Sequence, residues 1–181
     1  MKFHRKKRNR RSLRLRGYDY SQAGAYFVTI CIHDQDCLFG QVVEGETRLS
    51  EYGGVVSKCW NELSFHYPYV ETDEYAVMPN HLHGIIVITA STEPDLRSTH
   101  NHHALGQIVG YFKYQSTKEI NERRRTPGAR VWQRNYYEHV IRSEDELNRI
   151  RKYIAENPLK WEMDPENPEG QKPKKKEAWE V

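Results

Sequence analysis

Runs of apolar and β-branched residues alternate with polar turns along the chain, and they predict a sheet covered by helices. The two strongest strand signals are Ala25–Ile32 and His81–Thr89, which are rich in Val, Ile and aromatic residues. Shorter extended segments are expected at Cys37–Val43, Thr47–Leu49 and Glu74–Met78, with mixed structure at Val131–Ile141.

Helical spacing of apolar residues predicts three helices between these strands. The first runs from Glu51 to about Ser64, the second from Leu105 to about Arg124, and the third begins at a capping box opened by Ser143 and ends before Pro158. This order predicts an α+β fold, with helices packed on an antiparallel sheet of the ferredoxin-like, split βαβ kind.

The charge pattern divides the chain into three parts. Nine of the 28 basic residues and none of the 25 acidic residues lie in residues 1–16, so the remaining residues carry a net charge of −6. We expect residues 1–16 to be a basic flexible arm that binds polyanions, 17–162 to be one folded domain, and 163–181 to be a charged tail.

Other features narrow the cellular setting. No apolar run approaches the roughly 20 residues that a membrane span needs, so no membrane contact is expected. The three cysteines share no metal-site spacing, and their odd number favours a reducing cytoplasm over a disulfide framework.

Two histidines in the second strong strand carry the clearest candidate chemistry. Side chains alternate between the faces of a strand, so His81 and His83 lie on one face about 7 Å apart and can converge on one divalent cation. Imidazole suits Zn, Mn, Ni or Co better than Ca. The spacing alone fits two polar edge residues equally well.

Several motifs in order resemble one family. The stretch Met78–Ile86 resembles the signature strand of the HUH nucleases, and it is most similar to that of the REP-associated tyrosine transposases, one-tyrosine enzymes of the IS200-like group. The other stretches that resemble this family are Arg14–Tyr20, Ala25–Thr29, Val131–Arg142 and Glu156–Trp161.

The resemblance implies a reaction and its components. The family cleaves single-stranded DNA by transesterification, in which a tyrosine joins the 5′ phosphate and leaves a free 3′ hydroxyl. By this resemblance His81 and His83 would hold a divalent metal, Mg or Mn, and the partner would be single-stranded or hairpin DNA. A homodimer is also possible from the family.

The nucleophile stays open between several tyrosines. The family tyrosine is expected on the helix after the His-x-His strand, where the candidates are Tyr114 and Tyr111. Gln115, one helical turn after Tyr111, would be a third metal ligand by analogy with related enzymes. The family position itself aligns with Ser116, and Tyr136 or Tyr137 is a further alternative.

Basic and aromatic residues are candidates for contact with DNA. These candidates are Arg10, Arg11, Arg14, Arg16, Lys113, Trp132, Arg134 and Arg142. A core position is an equally good interpretation for Trp132.

Two other functions remain compatible with the sequence. Ser116 motivates the first, a domesticated relative that binds repeat DNA without cutting it. The second is a metal-dependent phosphodiesterase that uses water in place of tyrosine.

Overall fold

A computed structural model describes Leu15 and residues 17–90 and 103–170. The described residues form six strands, β1 (Gly24–Cys31), β2 (Gly40–Val43), β3 (Glu46–Leu49), β4 (Val70–Val77), β5 (His81–Ile88) and β6 (Tyr137–Ile141). In these ranges they also form four helices, α1 (Glu51–Asn61), α2 (Leu63–His66), α3 (Leu105–Arg124) and α4 (Glu144–Glu156), and a 3-10 helix at Pro158–Met163.

The main sheet has the strand order β4-β5-β1-β6, and all of its pairs are antiparallel. β2 and β3 form a separate hairpin. The strands β1, β4, β5 and β6, with the helices between them, follow the order βαββαβ along the chain. The first and third of these strands, β1 and β5, are neighbours at the centre of the sheet, which is the split βαβ arrangement. The predicted α+β fold is therefore confirmed.

The two faces of the sheet are covered by different helices. One face presents Tyr26, Val28 and Leu82 to a core that also contains buried residues of α1 and α3. The opposite face presents Phe27 and Ile85 to a smaller cluster with residues of α4. Because side chains alternate along β5, this division decides which helix can reach its histidines.

Gly84 fixes the distance between the sheet and α1. A Cβ at this position would overlap the Trp60 indole, which is fully buried. The indole can therefore lie directly on the β5 backbone.

Several boundaries differ from those predicted. The helix predicted to reach Ser64 is interrupted at Glu62, and β4 begins four residues earlier than expected, at Val70. Within the segment predicted to be a tail, Asp164 and Asn167 are buried, and the Glu166 carbonyl accepts a hydrogen bond from the Asn80 side chain. The basic arm other than Leu15, most of the polar loop before α3, and residues 171–181 lie outside the described residues.

None of the helices in the described ranges is both long and apolar enough to cross a bilayer.

Candidate active site

The two histidines of β5 face each other across a short gap. The Nε2 atoms of His81 and His83 are 3.0 Å apart, and both side chains are buried. They lie on the face of the sheet that α4 covers, since the His83 ring stacks on Phe27 of that face. The prediction that both side chains share one face is confirmed by this geometry.

Hydrogen bonds from neighbouring residues orient the two rings. Asn80 Oδ1 lies 2.8 Å from His81 Nδ1, while the Asn80 amide nitrogen donates to the Glu166 carbonyl at 2.7 Å. The Asn80 oxygen must therefore accept from His81, which places the proton on Nδ1 and leaves a lone pair on Nε2. Thr29 Oγ1 lies 2.8 Å from His83 Nδ1, and this hydrogen bond holds the second ring in place.

Burial also controls the charge of both rings. Loss of solvent lowers the pKa of each imidazole to about 3, so both are neutral at physiological pH. A neutral imidazole is the form that binds a metal ion.

Asp164 completes a group of three possible metal ligands. One ligand atom from each of His81, His83 and Asp164 lies within 4.8 Å of the others, and all three residues are buried. The Asp164 Oδ2 atom is 3.8 Å from His81 Nε2. Burial raises the pKa of this carboxyl group.

Asn157 adds an unsatisfied oxygen beside this group. Its amide donates to Asp164, and its Oδ1 atom is buried with no hydrogen-bond partner among the described residues. Buried polar oxygens are rarely left without a partner, so this atom is a candidate fourth ligand. Two imidazole nitrogens with carboxylate and amide oxygens form a mixed donor set that suits Mn²⁺ and related divalent cations.

Tyr153 of α4 brings a hydroxyl group to the same place. Its Oη atom is 3.4 Å from His83 Nε2, and its ring packs edge-on against His83 and Phe27. Asn157 lies four residues later on the same helix, so α4 presents a tyrosine and an amide to the histidines from one face. A hydroxyl nucleophile beside a set of metal ligands is an arrangement that can perform metal-assisted phosphoryl transfer.

The tyrosines predicted on α3 lie elsewhere. α3 packs through Ile108 and Phe112 against the opposite face of the sheet from the histidines. Tyr111 stacks on His66 with ring centroids 3.8 Å apart, and Tyr114 is 65% exposed. The structure therefore does not bring Tyr111, Tyr114 or Gln115 to the histidines, because the sheet separates them.

Ser116 has a structural contact on that opposite face. It is buried, donates to the Phe112 carbonyl at 2.7 Å and accepts a hydrogen bond from the Trp132 indole at 2.9 Å. A serine in this position is explained by packing, and it does not stand in for a missing nucleophile.

The predicted DNA contacts fall in different places. Trp132 is 4% exposed and lies in the core, so it cannot stack on a base without rearrangement. Arg134 is exposed beside the end of β1, whereas Arg142 lies past the far end of β6. Lys113 points at backbone carbonyls of the segment that follows Trp132. Arg10, Arg11, Arg14 and Arg16 lie outside the described residues.

Sequence reasoning missed Tyr153, Asn157 and Asp164. The spacing Tyr-x-x-x-Asn within a well-capped helix was a usable signal for the first two, since it places both on one face. Asp164 lies in a segment rich in Pro, Glu and Lys, and the polar composition of that segment gives no sign that Asp164 is buried.

The chain combines a split βαβ sheet with two histidines and a carboxylate buried close together, and several known proteins resemble it. No protein-family model matches the chain. A Haemophilus influenzae relative named "Uncharacterized protein" is 40% identical over 167 residues, covering 86% of this chain and 92% of the relative.

A second relative from the same organism carries a functional name. The protein named "Putative REP-associated tyrosine transposase" is 25% identical over 150 residues, covering 78% of this chain and 74% of the relative. The solved structure of a REP-associated tyrosine transposase bound to a REP hairpin has the same fold, with a TM-score of 0.56, 19% identity and coverage of 81% of this chain and 73% of that one. The chain is thus similar in sequence to a protein with this name and similar in fold to a solved structure of that class.

Proposed function

We propose that this protein is a transposase that binds single-stranded or hairpin DNA and cleaves it through Tyr153. The observation that carries the proposal is the position of the Tyr153 hydroxyl, 3.4 Å from His83 Nε2 and beside the buried histidine and carboxylate group. The solved relative is bound to a REP hairpin, which supports a structured DNA substrate for this chain as well.

The proposed reaction exchanges one phosphate ester for another. The Tyr153 oxygen attacks the scissile phosphorus, the bond from phosphorus to the 3′ oxygen breaks, and tyrosine becomes joined to the 5′ phosphate. The phenol loses its proton, and the departing 3′ oxygen gains one. The new ester retains the energy of the old one, so the strand can be rejoined without a further energy source.

We assign metal binding to His81, His83 and Asp164, with Asn157 Oδ1 as an added ligand. A bound Mg²⁺ or Mn²⁺ would supply Lewis-acid polarisation of the phosphate. The residues of the chain do the rest: Asn80 and Thr29 fix the two imidazoles, and α4 holds the phenol close to them.

DNA contact is assigned to surfaces beside this site. Arg134 is exposed near the end of β1, and Arg10, Arg11, Arg14 and Arg16 of the arm would add contacts that do not depend on sequence. We take residues 17–170 as the catalytic domain, because Asp164 and Asn167 are buried in it.

Trapping of the covalent intermediate tests the proposal. The protein is incubated with Mn²⁺ and labelled hairpin oligonucleotides that match the repeats flanking its gene, and the adduct is digested and mapped by mass spectrometry. A phosphotyrosine at residue 153 is expected, and His81→Ala should abolish it. Cleavage without any adduct would instead indicate a phosphodiesterase that uses water. Tight binding without cleavage would indicate a domesticated DNA-binding protein.

A further inference from the structure

The segment Gln133–Tyr136 lies beside the candidate metal ligands and is anchored to the end of β1. The Gln133 amide donates to the Cys31 carbonyl at 2.9 Å, and its side chain donates to the Ile32 carbonyl at 3.1 Å. Cys31 is the register partner of His81. The segment is therefore two strand spacings from His81, about 10 Å at the usual spacing between strands.

A lysine from α3 supports this segment from beneath. Lys113 Nζ donates to the Gln133 carbonyl at 3.0 Å and to the Asn135 carbonyl at 3.2 Å. It also lies 5.3 Å from the centre of the Tyr136 ring. These contacts bind the carbonyls on either side of Arg134 to one ammonium group.

The same lysine carries a charge that no carboxylate in the described ranges balances. Its hydrogen bonds go to two carbonyls, and no ion pair involves it there. Burial lowers the pKa of its ammonium group to about 8, a sign that the cation is poorly solvated. A phosphate close by would stabilise that cation.

Arg134 is the side chain that this arrangement presents outwards. It is exposed, and its guanidinium has no hydrogen bond or ion pair to any other residue in the described part of the chain. A fixed backbone on both sides of a free guanidinium restricts where that group can point, which reduces the entropy lost when it binds phosphate.

We propose, on the basis of the function proposed above, that Lys113 is a positioning residue for DNA. It holds the backbone from Gln133 to Asn135 so that Arg134 meets the phosphate backbone of the strand entering the site. Lys113 acts through Arg134 and does not itself touch the DNA.

A double-mutant cycle tests this coupling. The variants Lys113→Met, Arg134→Gln and their combination are titrated, as full-length protein, against a fluorescent hairpin oligonucleotide with a single-stranded extension at several salt concentrations. Lys118→Met is the matched control, because Lys118 is an exposed lysine of the same helix. Thermal unfolding is recorded for each variant.

The salt dependence distinguishes the possible roles. One lost phosphate contact in a single strand makes the slope of log affinity against log salt shallower by about 0.7. We expect this change in Arg134→Gln, the same change in Lys113→Met, and no further change in the double variant. Lys118→Met should keep the wild-type slope.

Three results would overturn the inference. An unchanged slope in Lys113→Met with a lower melting temperature would make the lysine purely structural. If the slope of the double variant is shallower than that of the wild type by about twice the change in each single variant, Lys113 is an independent phosphate contact. Absence of DNA binding by the wild type would contradict both the proposed function and this inference. If Lys113→Met does not fold, the cycle is run with Lys113→Gln.

Discussion

Replacement of Tyr153 by phenylalanine removes one oxygen atom from the candidate site and little else. The ring contacts with Phe27 and His83 survive, with centroid distances of 6.0 and 5.3 Å. The lost hydrogen bond to His83 Nε2 is 3.4 Å long, and a bond of this kind contributes about 0.5–1.5 kcal/mol net. For a domain of this size, 1 kcal/mol corresponds to about 2–4 °C in melting temperature.

The effect on cleavage should be far larger. Without the phenol oxygen there is no attacking atom, so we expect adduct formation to fall by at least about a thousandfold, equivalent to about 4 kcal/mol. Affinity for hairpin DNA should stay within about twofold of the wild type. Formation of the protein–DNA adduct is followed on denaturing gels with DNA labelled on the 3′ side of the cut, and affinity is measured by fluorescence anisotropy.

Two matched variants make this experiment decisive. Tyr111→Phe and Tyr114→Phe make the same chemical change on α3 and should cleave like the wild type. Adduct formed by Tyr153→Phe at the wild-type rate would refute the assignment. Loss of adduct in either α3 variant would indicate that the nucleophile is a tyrosine of α3, on the opposite face of the sheet.

Further predictions concern metal, packing and pH. Mn²⁺ at a hundredfold excess over its dissociation constant should stabilise the wild type by about 2.7 kcal/mol relative to EDTA in calorimetry, and His81→Ala should show no such shift. Gly84→Ala should lower the free energy of unfolding, measured in urea, by roughly 1–3 kcal/mol because the new methyl group overlaps Trp60. Gly110→Ala is the control and should not be destabilising, because no atom lies within 4 Å of its added Cβ. Because burial lowers the pKa of Lys113 to about 8, below its value near 10.4 in the unfolded chain, the unfolded state binds more protons between these values. The unfolding free energy of the wild type relative to Lys113→Met should therefore rise from pH 7.5 to pH 10; a flat or falling difference would contradict this.

The sequence predicted the histidine pair because a strand has only two faces. Alternation along β5 places His81 and His83 together whatever the rest of the chain does, and the buried run after them identifies the strand. The order of elements was sufficient for the split βαβ fold because few topologies connect such elements without crossing.

The nucleophile could not be predicted in this way. Periodicity shows which side of α3 is apolar, but it does not show which face of the sheet that side covers. The prediction of Tyr111 and Tyr114 assumed that the helix after β5 packs over the histidines. In the structure α4 has this position, because Ile150 and Ile154 pack with Phe27 and Ile85.

Composition was misleading at the end of the domain for a related reason. The residues after Met163 are polar, and a polar segment is usually solvated. Here Asp164 and Asn167 are buried through specific hydrogen bonds, including one from Asn167 to the Trp161 carbonyl at 2.9 Å. Such bonds depend on local geometry that hydropathy does not record.

The hydrogen bond from Asn80 to the Glu166 carbonyl joins residues 86 positions apart in sequence. Asp164 is likewise more than 80 positions from His81 and His83, the histidines that it faces. During synthesis the first five strands can pair while the ribosome is still making α4 and the residues after it. The complete donor set cannot exist on such a nascent chain. Newly made protein would therefore complete this group of candidate ligands only when Asp164 and Glu166 have emerged and packed against the end of β5.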